Sequence, residues 1–328
     1  MLANHPETAL GIEATVLEAL RTELDTAVVT FASGCAVTGD DRGAIAPAAA
    51  SAAAADVAVV VVGDQAGLFW RGTCGEGCDT DDLELPGVQR ELVEAVIATG
   101  PPSCSSFSRD ARTPSAGRLT PALPSSKHSS PAKRAPQRCG VVSGRVNPSG
   151  RLPVSLPGSA AVQPYSYLHP PLGDRSNVSN LDPSPARPFG FGLSYTFFAY
   201  DDLLVACPQV TTDGAIGVSV QVTNTGAVQG DDVVQLYAQD VVASITRPVA
   251  QLLCFQRVCL ARGEAARVHQ ALPTGRLAFS GRDMVRVVEP GAIELCVGRS
   301  CTERAVESVV ERVRPCHIIS GDDPAGST

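Results

Sequence analysis

A chain of 328 residues with 44% hydrophobic side chains has material for two domains, each with a core of its own. Its net charge of −8 gives no basic footprint for nucleic acid, and no apolar run approaches the about 18 residues that span a bilayer, so neither partner is indicated. The opening MLANHPETALGIEA has no basic stretch leading into an apolar one and reads as cytoplasmic, and the eleven scattered cysteines read as reduced thiols.

In chain order, EATVLEALRTEL (13–24) places Val16, Leu17, Leu20 and Leu24 on one stripe and predicts a helix, followed by AVVTFASG (27–34) as a short buried strand. The Ala-rich run 44–55 predicts a second helix. VAVVVVGD (57–64) is apolar without alternation, as expected of a parallel strand covered on both faces. LPGVQRELVEAVIATG then predicts a helix with Pro86 in its first turn and Gly100 as its C-terminal cap.

Between that strand and helix lies a loop of about twenty residues containing RGTCGEGCDTDD (71–82), with Glu76 set between Gly75 and Gly77. Flanking glycines remove the Cβ atoms that keep other groups away, so the backbone bends sharply and a ligand can approach the carboxylate. The stretch is either a catalytic or binding loop or an acidic turn. Ligands of open parallel sheets bind beyond the carboxyl ends of strands, and loops this long are usually functional or disordered, which raises the functional reading. Cys74 and Cys78 form a C-x3-C spacing, but zinc needs a second ligand pair. His5, His128, His169, His269 and His317 offer no suitable spacing, so neither a metal nor any other cofactor is expected.

No strand is visible after Gly100. Residues 101–139 hold sixteen Ser or Pro and seven Lys or Arg against one Asp, a composition that predicts disorder and an interrupted α/β fold. Turn signals resume in GRVNPSGRLPVSLP (144–157), and a Pro- and Tyr-rich connector leads to PFGFGLSYTFFAYDDL (188–203). From about 212 the period is two: Ile216, Val218, Val220 and Val222 alternate with small or polar residues. NTG (224–226) makes a turn, and later segments keep the spacing of a β-sandwich. The tail after about 305 is expected to fray.

Four stretches together resemble the C-terminal half of the family 3 glycoside hydrolases, the β-glucosidase and β-xylosidase group. They are VVVVGD leading to CGEGCDTDDLELPGVQRELV, NPSGRLPVSLP, RPFGFGLSYTFFAYDDL and VTNTGAVQGDDVVQLY. The resemblance implies an α/β sandwich domain over 1–160, with 101–139 atypical, then a connector over 161–194, a fibronectin type III-like β-sandwich over 195–305 and a tail over 306–328. It implies that Glu76 is the general acid/base of a retaining exo-acting β-glycosidase. In the same loop Trp70 either stacks on a sugar face or packs the loop down, Arg71 either pairs with the loop's acids or lines a subsite, and Asp79 is a further substrate-binding candidate. The substrate would be a β-linked oligosaccharide or aryl glycoside. In this family a (β/α)8 barrel supplies an aspartate nucleophile, and no segment of these 328 residues matches its motif. The chain is therefore expected to be inactive alone, donating Glu76 to a barrel-domain partner chain or to a barrel encoded beside it. The alternative is a non-catalytic carbohydrate-binding or interaction module. Cys74 stands where Ser is common, Cys78 where Tyr is common, and Phe191 where the PFGHGLSYT pattern has histidine. The segment 101–139 is either a local reading-frame disturbance or a genuine insertion.

Overall fold

The computed structural model describes residues 15–67, 72–78, 83–100, 104–108, 135–162, 165–313 and 317–318. Two compact units are present, Met1–Val146 with Ser159–Ala161, and Asn147–Gly158 with Val162–Thr328. The second unit thus takes the NPSGRLPVSLP stretch, which the sequence boundary at 160 had placed in the α/β part.

In the first unit, α1 (Val16–Glu23) starts at a capping box, in which the Thr15 hydroxyl accepts from the Glu18 amide and the Glu18 carboxylate accepts from the Thr15 amide at 2.8 Å. Ala19 and Leu20 are buried against Cys139 of α4 (Ala135–Val142). Arg145, just beyond α4, donates to both carboxylate oxygens of Glu23 at 2.7 and 2.9 Å, and the Ser143 hydroxyl adds a third bond at 2.6 Å. Those bonds, Arg145 first and Ser143 second, hold the Glu23 carboxyl down at about 2.

A second cluster forms where α2 (Ile45–Ala53) and α3 (Gln89–Ala98) pack on one face of β1 (Ala58–Val62). Ala58, Val60 and Val62 face the two helices, Val59 packs with the α1 cluster, and Val61 is 57% exposed, so the strand is covered on both faces only in part. Gly100 takes the left-handed conformation expected just past the C-terminus of α3, while Pro86 lies upstream of the first turn.

Two expectations are corrected here. Residues 27–34 form no strand: Val28 is 93% and Phe31 68% exposed. A strand needs a ladder neighbour, and β1 pairs instead with β2 (Cys104–Ser108). β2 is the second correction. It lies in the stretch where no strand was expected and runs parallel to β1, in a register from Ala58 opposite Cys104 to Val62 opposite Ser108. Main-chain hydrogen bonds build this ladder, and CSSFS carries no apolar periodicity to announce it. Helix α4 closes the far end of the same stretch, and 109–134 lie outside the described residues.

The second unit is a β-sandwich. One sheet has the order β4 (Gln209–Thr211), β12 (Arg304–Val313), β11 (Gly291–Gly298), β6 (Gly230–Asp240) and β7 (Gln251–Leu260), and the other has β3 (Phe198–Val205), β5 (Ala215–Asn224) and β8 (Ala265–Pro273). A small sheet joins β9 (Phe279–Ser280), β10 (Arg286–Val288) and β13 (His317–Ile318). Ile216, Val218, Val220 and Val222 point into the core as their alternation predicts, meeting Leu236, Leu295 and their neighbours. Each such side chain contributes about 1.5–3 kcal/mol relative to exposure.

The expectation of a frayed tail from 306 is also corrected. Residues 306–313 are most of β12, which lies between β4 and β11 with Val310 fully buried. Arg312 is fully buried as well and pairs with Asp240, burial pulling its pKa below the usual guanidinium value. Residues 314–316 and 319–328 lie outside the described residues.

The motifs that carry the resemblance knit this unit together. The Asn147 carboxamide accepts from the Ser194 hydroxyl and the Tyr195 amide, and donates to the Gln229 carbonyl. Arg151 pairs with the buried Asp232, which also accepts from the Tyr200 hydroxyl. Burial, then the neighbouring Asp232 charge, pushes the Tyr200 phenol upward. In the NTG turn the buried Asn224 side chain donates to the carbonyls of Val228 and Leu260 at 2.9 Å.

Candidate active site

The carboxyl end of β1 runs directly into the loop that carries Glu76. Asp64, buried, accepts from the Thr73 hydroxyl at 2.8 Å, and that hydroxyl accepts from the Gln65 amide at 2.8 Å. Beyond this knot the two limbs of the loop lie side by side. The amides of Thr73 and Cys74 donate to the Gln65 carbonyl, and the Gly67 amide donates to the Cys74 carbonyl at 3.0 Å. Ala66 and Cys74 form a parallel bridge.

Such close crossing dictates the glycines. A Cβ at position 72 would meet the Gln65 carbonyl oxygen at 2.4 Å, and one at position 75 would meet the Gly67 carbonyl oxygen at 2.1 Å. Gly75 has φ +120° and Gly77 φ +72°, both in the left-handed range. The glycine before Glu76 is thus required by the loop's own backbone. A turn with the Cys78 amide donating to the Gly75 carbonyl at 3.1 Å leaves Glu76 exposed at the tip. Of the C-x3-C pair, Cys78 is buried with its thiol 3.9 Å from the Gly67 carbonyl, and Cys74 is half-buried.

Gln89, at the first turn of α3, fixes the base of the loop. Its side chain accepts from the Gly63 amide at 2.7 Å and donates to the carbonyls of Gly63, Pro86 and Val37 at 2.9, 3.0 and 3.1 Å. Sequence reading passed over Gln89 and Thr73. The available signal was positional: an acid one glycine past an apolar strand, and a glutamine one valine past Leu-Pro-Gly at a helix start. Of the predicted site residues, Glu76 is placed at the loop tip, while Trp70, Arg71 and Asp79 lie outside the described residues. An exposed carboxylate on a loop strapped at its base, at the carboxyl end of a parallel strand, can exchange a proton with a ligand bound there.

The chain matches the glycosyl hydrolase family 3 C-terminal domain over residues 6–195 and a fibronectin type III-like domain over 232–301. It is 35% identical over 291 residues to a β-xylosidase of Formosa agariphila, covering 87% of this chain and 39% of that one. It is 33% identical over 263 residues to a periplasmic β-glucosidase of Salmonella typhimurium, covering 74% of this chain and 33% of that one. Among solved structures it resembles a β-glucosidase from Erythrobacter marinus with a TM-score of 0.78 and 29% identity, covering 92% of this chain and 43% of the other. The chain therefore spans about two fifths of the length of such relatives. Two successive domain matches, the first over more than half of the chain, make this chain a member of the family 3 glycoside hydrolases, comprising their C-terminal α/β domain and a fibronectin type III-like domain.

Proposed function

We propose that this chain supplies the acid/base part of a retaining exo-acting β-glycosidase that hydrolyses β-glucosides or β-xylosides, with Glu76 as the general acid/base. The observation that carries the reading is the exposed Glu76 between two left-handed glycines, on a loop strapped to the carboxyl end of β1. In the first step the Glu76 carboxyl protonates the departing glycosidic oxygen while a second carboxylate attacks the anomeric carbon. In the second step the Glu76 carboxylate takes a proton from the water that releases the sugar. The two carboxyl groups must stand about 5–5.5 Å apart.

The family resemblance assigns the nucleophile to a barrel aspartate that has no counterpart in these 328 residues, so these residues alone are inactive and Glu76 serves a barrel on another polypeptide or one encoded beside it. Trp70, Arg71 and Asp79 are the proposed sugar contacts. The reading is supported by the β-xylosidase and β-glucosidase names of the Formosa and Salmonella relatives.

The test is hydrolysis of 4-nitrophenyl β-glucoside and β-xyloside by the purified chain, alone and mixed with the barrel fragment of a family member. Background rates alone are expected, with activity in the mixture that Glu76→Gln lowers by about 10²–10⁴-fold. Turnover by the chain alone would sink the partner requirement, and activity in the mixture that ignores Glu76→Gln would sink the assigned role.

A further inference from the structure

The connector between NPSGRLPVSLP and PFGFGLSYT reads in sequence only as rich in proline and tyrosine. In the second unit it helps to enclose a cavity of about 250 Å³. Pockets for drug-sized ligands run to about 300–1,000 Å³, so this one has room for a single ring-sized group.

Three ring side chains contribute to its wall. Tyr165 and His169 meet at 5.9 Å with their planes tilted by 60°, and Tyr167 is held by flat stacking on Phe189 at 4.0 Å. Polar groups complete it. The Asp174 carboxylate stands 3.7 Å from His169 Nε2, and the Arg304 guanidinium donates to the Gln239 side chain and the Val249 carbonyl. Arg175 and the Thr302 hydroxyl also line the cavity.

Charge decides among ligand classes. Arg175 is paired with Asp182 at 3.6 Å, and Arg304 lies 4.0 and 3.5 Å from Glu294 and Glu307. With Asp174 in the same wall, an anion finds no uncompensated positive charge. A neutral ligand with hydroxyls that both donate and accept, and with an apolar face for the tyrosine, matches every group present.

We propose that this cavity binds one pyranose ring of a β-linked glycan, Tyr165 packing on the ring's C–H face while Asp174 and Arg304 hydrogen-bond its hydroxyls. The choice of a β-linked sugar rests on the function proposed above. The site lies within the second unit and works as a glycan-holding subsite, with no part in bond cleavage.

The chain contains five tyrosines, so ring-labelled tyrosine gives a short and assignable spectrum. Cellobiose and xylobiose, titrated into the full chain to about 20 mM so as to saturate a millimolar site, are expected to move Tyr165 and Tyr167 and leave Tyr195 and Tyr200 in place. Asp174→Asn, at an exposed position that folding tolerates, is expected to weaken the response by about threefold to tenfold, the loss of one hydrogen bond, and Tyr165→Ala to remove it. No shift in Tyr165 or Tyr167 would overturn the proposal. So would an equal response to inorganic phosphate, or sugar binding that Asp174→Asn leaves unchanged. The readout involves no turnover, so the failure of Glu76 as acid/base and the failure of this subsite are separate results.

Discussion

The side chain of Gln89 hydrogen-bonds both sides of one residue, Gly63: its carbonyl oxygen accepts from the Gly63 amide at 2.7 Å and its amide donates to the Gly63 carbonyl at 2.9 Å. A glutamine on α3 thereby pairs the backbone of the residue just past β1, at the point where the chain turns toward Glu76. Two further bonds to the carbonyls of Val37 and Pro86 draw two other loops to the same place.

Gln89→Ala is expected to destabilise the first unit by about 2–4 kcal/mol, since it leaves several buried backbone groups unpaired at once. Gln89→Glu keeps the acceptor but sets a carboxylate against three carbonyl oxygens, and is expected to be at least as destabilising. Amide exchange of residues 58–64 and 89–98 in the full chain measures both. Protection as in the unsubstituted chain would show that the network carries little.

Gly75→Ala is expected to disrupt the acid/base loop, because the added Cβ would lie 2.1 Å from the Gly67 carbonyl oxygen at a φ of +120°. A left-handed non-glycine residue costs about 1–3 kcal/mol before that clash is counted. The Gly67 amide, bonded to Cys74, should exchange faster in the variant. Gly150→Ala is the control, with nothing within 4 Å of its added Cβ and a shift below about 0.5 kcal/mol expected. Equal behaviour of the two variants would contradict the close-crossing account.

The Glu23 carboxyl, held at about 2 by Arg145 and Ser143 against an ordinary 4.5, makes the docking of α1 acid-sensitive. A lowered folded-state value means that its contribution is complete above the unfolded value and is lost as the pH falls from 4.5 toward 2. Amide protection in 16–24 and 139–146 should decline across that window. Glu23→Gln should remove the part of the decline due to this pair, leaving weaker protection at neutral pH. A wild-type profile that matches the variant's at every pH would refute the linkage.

A fragment of residues 195–305 is expected not to fold, whereas 147–318 should unfold cooperatively. The shorter piece cuts β12 out from between β4 and β11, discarding Val310 and the Arg312 partner of Asp240, and it loses the Asn147 and Arg151 contacts. Thermal unfolding followed by near-ultraviolet circular dichroism distinguishes them. A sharp transition in the shorter fragment would mean that the sandwich closes without its C-terminal strand.

By itself the sequence determined what is local. The alternation from Ile216 to Val222, the NTG turn, the apolar run 58–62 and the motif stretches with their family resemblance were legible because periodicity and turn chemistry are written in neighbouring residues. The same reading singled out Glu76 from its glycines. Only the tertiary structure decided what depends on distant partners. Val28 and Phe31 look like a buried strand but are exposed, because burial requires a neighbour that the local pattern cannot supply. The polar CSSFS is a strand because β1 offers it a ladder edge, and 306–313 is a central strand because two others flank it. Asn147 belongs with Tyr195 and Gln229, although 48 and 82 residues separate them. Hydrogen-bond pairing and burial are properties of segments far apart in the chain, and no window of sequence contains both halves of such a contact.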